Sequence, residues 1–322
     1  MTETTRARAR AFHIKKFVAN NGALVGLVVL CLALFIATPN FLTGQNLLNI
    51  GIQVSTVAVL AFGMTFVIVA GGIDLSVGSV AALSATASAW FFATAGLPGW
   101  MALIAGLGTG LVFGTINGLA SAYGKLPSFI ATLAMLSVAR GLTLVISDGR
   151  PIQTSPEVSF LGGDLGPIPM PIIVLIGAAL IASFILNRTV IGRSMYAVGG
   201  NAEAARLSGL PVRRITVTVF ALAGIFAAVA GLLLAGRLES AQPQAAAGYE
   251  LDAIAAVVIG GASLAGGVGR ISGTFIGALV LVVIRNGLNL LNVTSFWQQV
   301  VIGLVIALAV GVDVLRRKTR SS

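Results

Sequence analysis

Charged residues are scarce in this sequence: only 9% of the 322 residues are Asp, Glu, Lys or Arg, whereas 57% are hydrophobic. Soluble domains carry about 25% charged residues. So few polar side chains cannot cover a surface that faces water, which excludes a soluble enzyme, a nucleic-acid-binding domain and a disordered chain. The single cysteine, Cys31, allows no disulfide within the chain. The sequence therefore predicts an all-α integral membrane protein with several spans.

Nucleotide-binding and catalytic motifs are also missing. The only Gly-Lys pair, Gly124-Lys125, is followed by Leu126 and lacks the upstream glycine of G-x-x-x-x-G-K-[ST]. The glycine cluster at 260–269 does not form G-x-G-x-x-G. The sequence offers no metal-ligand cluster and no plausible catalytic triad. We therefore expect no enzyme activity and no cofactor in this chain, and any ATP would be hydrolysed by another subunit.

Ten apolar stretches are predicted to span a membrane, since a helix needs about 20 mostly apolar residues to cross the hydrocarbon. They are 21–38, 50–70, 75–95, 100–122, 128–147, 170–187, 215–236, 252–266, 271–288 and 296–314. The eighth is short and rich in glycine, so a helix that breaks before the far side is the alternative there. The first follows a basic leader, and the nine behind it favour a retained signal-anchor over a cleaved signal peptide.

The basic residues predict the orientation, because Lys and Arg concentrate in cytoplasmic loops. With ten spans and a cytoplasmic N-terminus, cytoplasmic segments hold 16 basic residues and external segments hold three, while Arg140 falls in the fifth span. We therefore expect both termini in the cytoplasm. Basic tails at 1–20 and 315–322 then flank a single membrane domain at 21–314. His13 lies in the first tail and is expected to be solvated.

Two predicted external loops are acidic. Residues 148–169 and 237–252 contain Asp148, Glu157, Asp164, Glu239, Glu250 and Asp252. An acidic outer face can receive a soluble partner with a basic rim, although a merely solvated surface explains the same residues.

The cytoplasmic loop 188–214 carries the signature of a short helix. Asn201 is a good N-cap, and Glu203 lies in the first turn, where it complements the helix dipole. Gly209 suits the position after the C-cap, and Pro211 prevents continuation. Connecting two spans needs far fewer residues, so this loop is predicted to have a further role. An amphipathic turn on the lipid surface is the alternative.

The residues of this helix carry a resemblance. Glu203-Ala204-Ala205, followed by Gly209, resembles the E-A-A-x-x-x-G loop of bacterial ABC importer permeases. The string 199–209 is similar to that of the ribose/xylose/galactose type. Three further segments resemble the same type of permease and occur in the same order along the chain: 71–79, 127–133 with Arg140-Gly141, and 259–269. The resemblance implies a coupling helix that docks into a cleft on an ATPase subunit. The implied coupling residues are Asn201, Glu203, Ala204, Ala205, Arg206 and Gly209.

The resemblance also implies the assembly around this chain. It implies the ABC importer permease fold with about ten transmembrane helices in the bacterial inner membrane. Two permease chains would form a homodimer, with substrate passing along the two-fold axis. A periplasmic sugar-binding protein would deliver substrate to the outer face, and membrane lipid, but no nucleic acid, would contact the chain.

Polar residues near the span ends are candidates for the translocation pathway. Asp74 precedes the third span, and a carboxylate there is either functional or, as we favour, the N-cap of the third helix. Ser128 and Thr132 share one helical face. Their hydroxyl groups either line a pathway or merely form hydrogen bonds with backbone groups. Asn117 can bond substrate or a neighbouring helix. The candidate pathway residues are Gly72, Asp74, Ser76, Asn117, Ser128, Phe129, Thr132 and Ser263.

Two features of the spans are read as structural. Gly106, Gly110, Gly114 and Gly118 recur every four residues and predict tight packing of the fourth span against a neighbour. Arg140 is expected to face protein or water, because exposing it to lipid costs about 3 kcal/mol or more.

These observations predict the permease subunit of an ATP-driven ABC importer that carries a monosaccharide, such as a ribose-type pentose. Hexoses, polyols and furanosides stay open, because recognition of hydroxyl groups is largely delegated to the binding protein in such systems. A secondary transporter coupled to protons or sodium is the alternative. It would need ionisable groups within the bilayer, for which the sequence offers little beyond Asp74 and Arg140.

Overall fold

The computed structural model describes residues 22–321, without the side chains of residues 309 and 312–321. The predicted tail at 1–20, including His13, and the side chains of the tail at 315–322 lie outside the described residues.

The described chain is mostly helical. In order, its elements are α1 (Gly22–Ala37), α2 (Gly44–Val69), α3 (Val77–Ala93), α4 (Gly99–Ala122), α5 (Ser128–Ser147), β1 (Ile152–Gln153), α6 (Pro156–Gly162), β2 (Asp164–Leu165), β3 (Ile168–Pro169), α7 (Met170–Arg188), α8 (Val190–Gly200), α9 (Ala202–Leu207), α10 (Val212–Leu238), β4 (Ser240–Ala241), α11 (Tyr249–Ile259), α12 (Ile271–Leu290) and α13 (Ser295–Ser321).

Nine of the ten predicted spans coincide closely with one of these helices, and the eighth overlaps α11 only in part. By length and composition, six helices of the described range can cross a membrane: α2, α4, α5, α7, α10 and α12. Helices α1 and α3 and residues 295–308 of α13 are apolar but shorter. The structure thus confirms a helical membrane protein, while the number of crossings stays a prediction.

The eighth predicted span, 252–266, is wrong at its C-terminal end. Helix α11 ends at Ile259, and residues 260–270 are not helical. The reason is local: Gly261 follows the C-cap with a φ of 90°, and its amide donates to the carbonyl of Val258. Helix α11 thus ends early, as the alternative of a helix that stops short requires, while its depth in the membrane stays a prediction.

The core forms around α2 and α10, which are the most buried of the long helices. Helix α4 packs most extensively against α10. A Cβ at Gly110 would overlap the carbonyl oxygen of Gly224, and one at Gly114 would overlap that of Phe220. The glycine repeat therefore brings two helix backbones together, as the sequence predicted.

The two acidic loops meet at one end of the molecule. Strand β1 pairs antiparallel with β4, and Ile152 lies opposite Ala241. Arg140 reaches the same region, where its Nη1 donates to the carbonyls of Pro243 at 2.7 Å and Ala245 at 3.1 Å. Arg140 thus faces protein, as expected.

One ion pair joins α11 to α12 near that end. Arg285 donates from Nη2 to the carboxylate of Asp252 at 2.7 Å, and the Asp252 side chain is only 3% exposed. Arg285 is one of the three basic residues that the orientation predicted from the sequence assigns to external segments, but it lies within α12 and pairs with this carboxylate. A buried carboxylate needs such a partner to offset its lost hydration.

Candidate coupling helix and polar cluster

The predicted cytoplasmic helix is present as α9. The side chain of Asn201 accepts a hydrogen bond from the amide of Ala204 at 2.9 Å, which makes it the N-cap. At the other end, Gly209 has a φ of 84° and donates to Arg206, while Leu210 donates to Ala205. This pair of bonds is a Schellman motif, which ends the helix at Leu207, four residues before Pro211. Both predicted caps are confirmed.

Helix α9 presents a charged face to solvent. Glu203 and Arg206 form a two-pronged ion pair at 2.6 and 2.9 Å, and their side chains are 66% and 62% exposed. The hydrogen bond from Arg206 lowers the pKa of Glu203, so the carboxylate is charged at neutral pH. Ala205 lies on the opposite face and is buried. One face thus anchors α9 to the protein, and the other is free to meet a partner.

A second polar cluster surrounds the turn between α2 and α3. Asp74 is 2% exposed, and its Oδ1 accepts from the backbone amide of Ser76 at 2.8 Å and from its hydroxyl at 2.7 Å. Nδ2 of Asn117, on α4, donates to the Ser76 hydroxyl at 2.8 Å. The N-cap of α3 is Ser76, so our assignment of that role to Asp74 is wrong. Asp74 instead closes an Asx turn ahead of the helix.

Two hydroxyls of α5 hold the same turn. The amide of Ile73 donates to Oγ of Ser128 at 3.2 Å, and that of Leu75 donates to Oγ1 of Thr132 at 3.1 Å. The predicted common face of Ser128 and Thr132 is therefore confirmed, and it is turned towards residues 73–75. These side chains satisfy backbone amides that no helix or strand would satisfy.

The eight candidate pathway residues do not all come together. Asp74, Ser76, Asn117, Ser128 and Thr132 form the cluster just described, and Gly72 adjoins it. Phe129 is 46% exposed on another face of α5. Ser263 lies in the turn after α11, where its hydroxyl accepts from the amide of Ala265 at 3.3 Å.

A cavity of about 220 Å³ separates this turn from α9. Gly72 and Ser128 line it on one side, and Ala202, the first residue of α9, lines it on another. Ser121 and Thr216 add hydroxyls that sequence analysis missed. Their only signal in the sequence was a position near an end of an apolar helix, the C-terminal end of α4 and the N-terminal end of α10.

A helical membrane protein that presents a capped, charged helix on one loop, beside a polar cluster inside its bundle, has the architecture of a transport subunit that docks to another protein. Comparison with known proteins gives the family. A family model described as the permease component of the branched-chain amino acid transport system matches residues 46–310. The chain belongs to this permease family.

Individual relatives match along nearly the whole chain. The ribose import permease protein RbsC of Bacillus subtilis is 46% identical over 97% of this chain and 98% of its own length. RbsC of Escherichia coli K12 is 44% identical over 96% of this chain and 98% of its own length. The L-arabinose transport system permease protein AraH of the same strain is 38% identical, over 99% and 98%. No solved structure matches the chain at a significant level.

Proposed function

We propose that this chain is the permease subunit of an ATP-driven importer that carries a monosaccharide across the bacterial inner membrane, with a ribose-type pentose as substrate. One observation carries the proposal: the solvent-exposed face of α9, with its Glu203–Arg206 pair, is built on the coupling motif and lies beside a polar cluster within the bundle. The named relatives, permeases for ribose and L-arabinose, support a sugar as substrate.

The proposed topology has ten crossings and both termini in the cytoplasm. It places residues 71–76, 188–214 and 266–270 on the cytoplasmic side, and contacts across these loops agree with that placement. Tyr196 donates from its hydroxyl to the carbonyl of Gly269 at 2.7 Å, for example. The two loops assigned to the outside are likewise joined to each other, through β1 and β4.

Three partners follow from this function. A separate ATPase subunit docks on α9 at Asn201, Glu203, Ala204, Ala205, Arg206 and Gly209. A periplasmic sugar-binding protein delivers substrate to the acidic outer face, and a second copy of this chain completes a homodimer with the substrate path on its two-fold axis. The chain itself holds no cofactor and makes no covalent bond to substrate.

Transport then proceeds by alternating access. ATP binding and hydrolysis in the partner shift the populations of inward-open and outward-open states, because docking differs in free energy between them. Among the candidate pathway residues, Gly72 and Ser128 border the cavity and are placed on the route of the sugar. Asp74, Ser76, Asn117 and Thr132 hold the turn in position, and Phe129 and Ser263 stay candidates for the route.

The proposal is tested by reconstituting the permease in liposomes with its ATPase and binding protein. Labelled ribose should accumulate only when ATP is supplied, and a protonophore should leave the initial rate unchanged. Uptake that continues without ATP and collapses with the protonophore would establish the alternative, a secondary transporter, which the relatives named above do not support.

A further inference from the structure

Three segments cross backbone to backbone at four glycines, which we call the glycine junction: Gly71, Gly199, Gly266 and Gly267. The amide of Gly267 donates to the carbonyl of Val69 at 2.9 Å. A Cβ at Gly199 would overlap that carbonyl oxygen, and a Cβ at Gly266 would lie 2.6 Å from the oxygen of Gly199. No side chain other than hydrogen fits at Gly199 or Gly266 without moving a backbone.

The glycine junction lies next to the coupling helix. Only Gly200 and Asn201 separate Gly199 from α9. One turn earlier in α8, the Tyr196 hydroxyl donates to the carbonyl of Gly269. Burial raises the pKa of Tyr196, so its hydroxyl keeps the proton it donates. Helix α8 therefore contacts the turn at 260–270 at two points, through the Tyr196 hydrogen bond and the close backbone approach at Gly199, and α9 follows its end after Asn201.

On its far side, the glycine junction leads into the bundle. Val69 is the last residue of α2, and the chain continues from there into the turn at 71–76 that contains Asp74. Gly267 leads within four residues into α12. The backbones touch directly at Gly199 and Gly266, so a displacement of α8 at these points pushes on the other two segments.

We propose that Gly199 and Tyr196 are positioning residues that transmit the movement of α9 to the turn before α3 and to the turn before α12. The inference rests on the proposed function, since it requires an ATPase that moves α9. It assigns to α8 a role in transport that is separate from docking: α9 binds the partner, and α8 passes the displacement on through the glycine junction.

The experiment measures sugar transported per ATP hydrolysed in the reconstituted complex. Gly199→Ala should lower this ratio several-fold, whereas co-purification of the ATPase stays at the wild-type level because α9 is intact. Gly200→Ala is the matched control: it adds the same methyl group one residue later, where no described atom beyond its chain neighbours and its own helix backbone lies within 4 Å. The control should keep the wild-type ratio.

Tyr196→Phe provides a milder test, because it removes only the hydroxyl that bonds Gly269. It should lower the ratio of sugar transported to ATP hydrolysed to an intermediate value. If Gly199→Ala fails to insert in the membrane, Tyr196→Phe is sufficient to test the inference. The inference is overturned if Tyr196→Phe, and Gly199→Ala where it can be purified, keep the wild-type ratio. It is also overturned if Gly200→Ala lowers the ratio as much as Gly199→Ala does. Failure of the wild-type complex to use ATP for uptake would instead overturn the proposed function.

Discussion

Asn117 donates a hydrogen bond of 2.8 Å to the hydroxyl of Ser76, although 41 positions separate them in sequence. The Ser76 hydroxyl has one proton, which it donates to the carboxylate of Asp74 at 2.7 Å. The direction of both hydrogen bonds is thus set: the amide of Asn117 donates to the hydroxyl of Ser76, which donates to the carboxylate of Asp74. The two bonds tie α4 to the turn before α3, deep in the protein, and make Asp74 the final acceptor.

Asp74→Asn should keep the turn, because the amide oxygen of Asn can accept both bonds from Ser76. We expect near wild-type membrane levels and uptake. Asp74→Ala should lower the melting temperature in detergent, because it leaves the buried amide of Ser76 without a partner at a cost of about 1–3 kcal/mol. Normal insertion of Asp74→Asn without uptake would contradict this account and assign the negative charge to transport itself.

Gly110→Ala should reduce the yield of folded, monodisperse protein, since its Cβ would overlap the carbonyl of Gly224 on α10. Gly108→Ala is the matched control on the same helix, where a Cβ meets no described atom within 4 Å beyond its chain neighbours and its own helix backbone. Alanine favours a helix over glycine by about 1 kcal/mol, so the control should be neutral or slightly stabilising. Equal melting temperatures for the two variants would show that the α4–α10 contact is looser than described.

Ser128→Cys should react with small water-soluble thiol reagents in a background where Cys31 is replaced, because Ser128 lines the cavity. Thr132→Cys should stay unreactive, since Thr132 is fully buried. Ile130→Cys, on an apolar exposed position that we assign to lipid, should also stay unreactive because a thiolate forms only where water has access.

Labelling at Ser128→Cys should also change between nucleotide-free and ATP-trapped states of the complex. Alternating access opens and closes the route of water to the cytoplasmic end. Equal labelling in both states, or labelling of Thr132→Cys and Ile130→Cys to the same extent, would contradict the placement of Ser128 on that route.

Features set by neighbouring residues were predictable from the sequence. The caps of α9 at Asn201 and Gly209 and the early stop of α11 depend on residues within a few positions, where side-chain and φ preferences decide the structure. The packing of Gly110 was predictable as close contact, although its partner, Gly224, was not.

Features set by distant residues were not predictable in the same way. Asp74 looked like an N-cap because it precedes Leu75 and Ser76, but its actual partner depends on Ser76 being held by Asn117 from another helix. The glycine junction likewise joins three segments that lie far apart in the sequence. The glycines themselves are evident in the sequence, but their contact in space could not be predicted from it.

The most direct test of ATP-driven import through α9 is charge reversal at Glu203. Glu203→Lys leaves the caps of α9 in place and changes only its exposed face, so the protein should insert normally. Asp164→Lys reverses an exposed charge in a loop assigned to the opposite side of the membrane and serves as the control. The measurement is co-purification of the ATPase together with ATP-driven ribose uptake. We predict that Glu203→Lys loses both and that Asp164→Lys keeps its ATPase, whereas wild-type association and uptake in Glu203→Lys would contradict the assignment of α9 as the coupling helix.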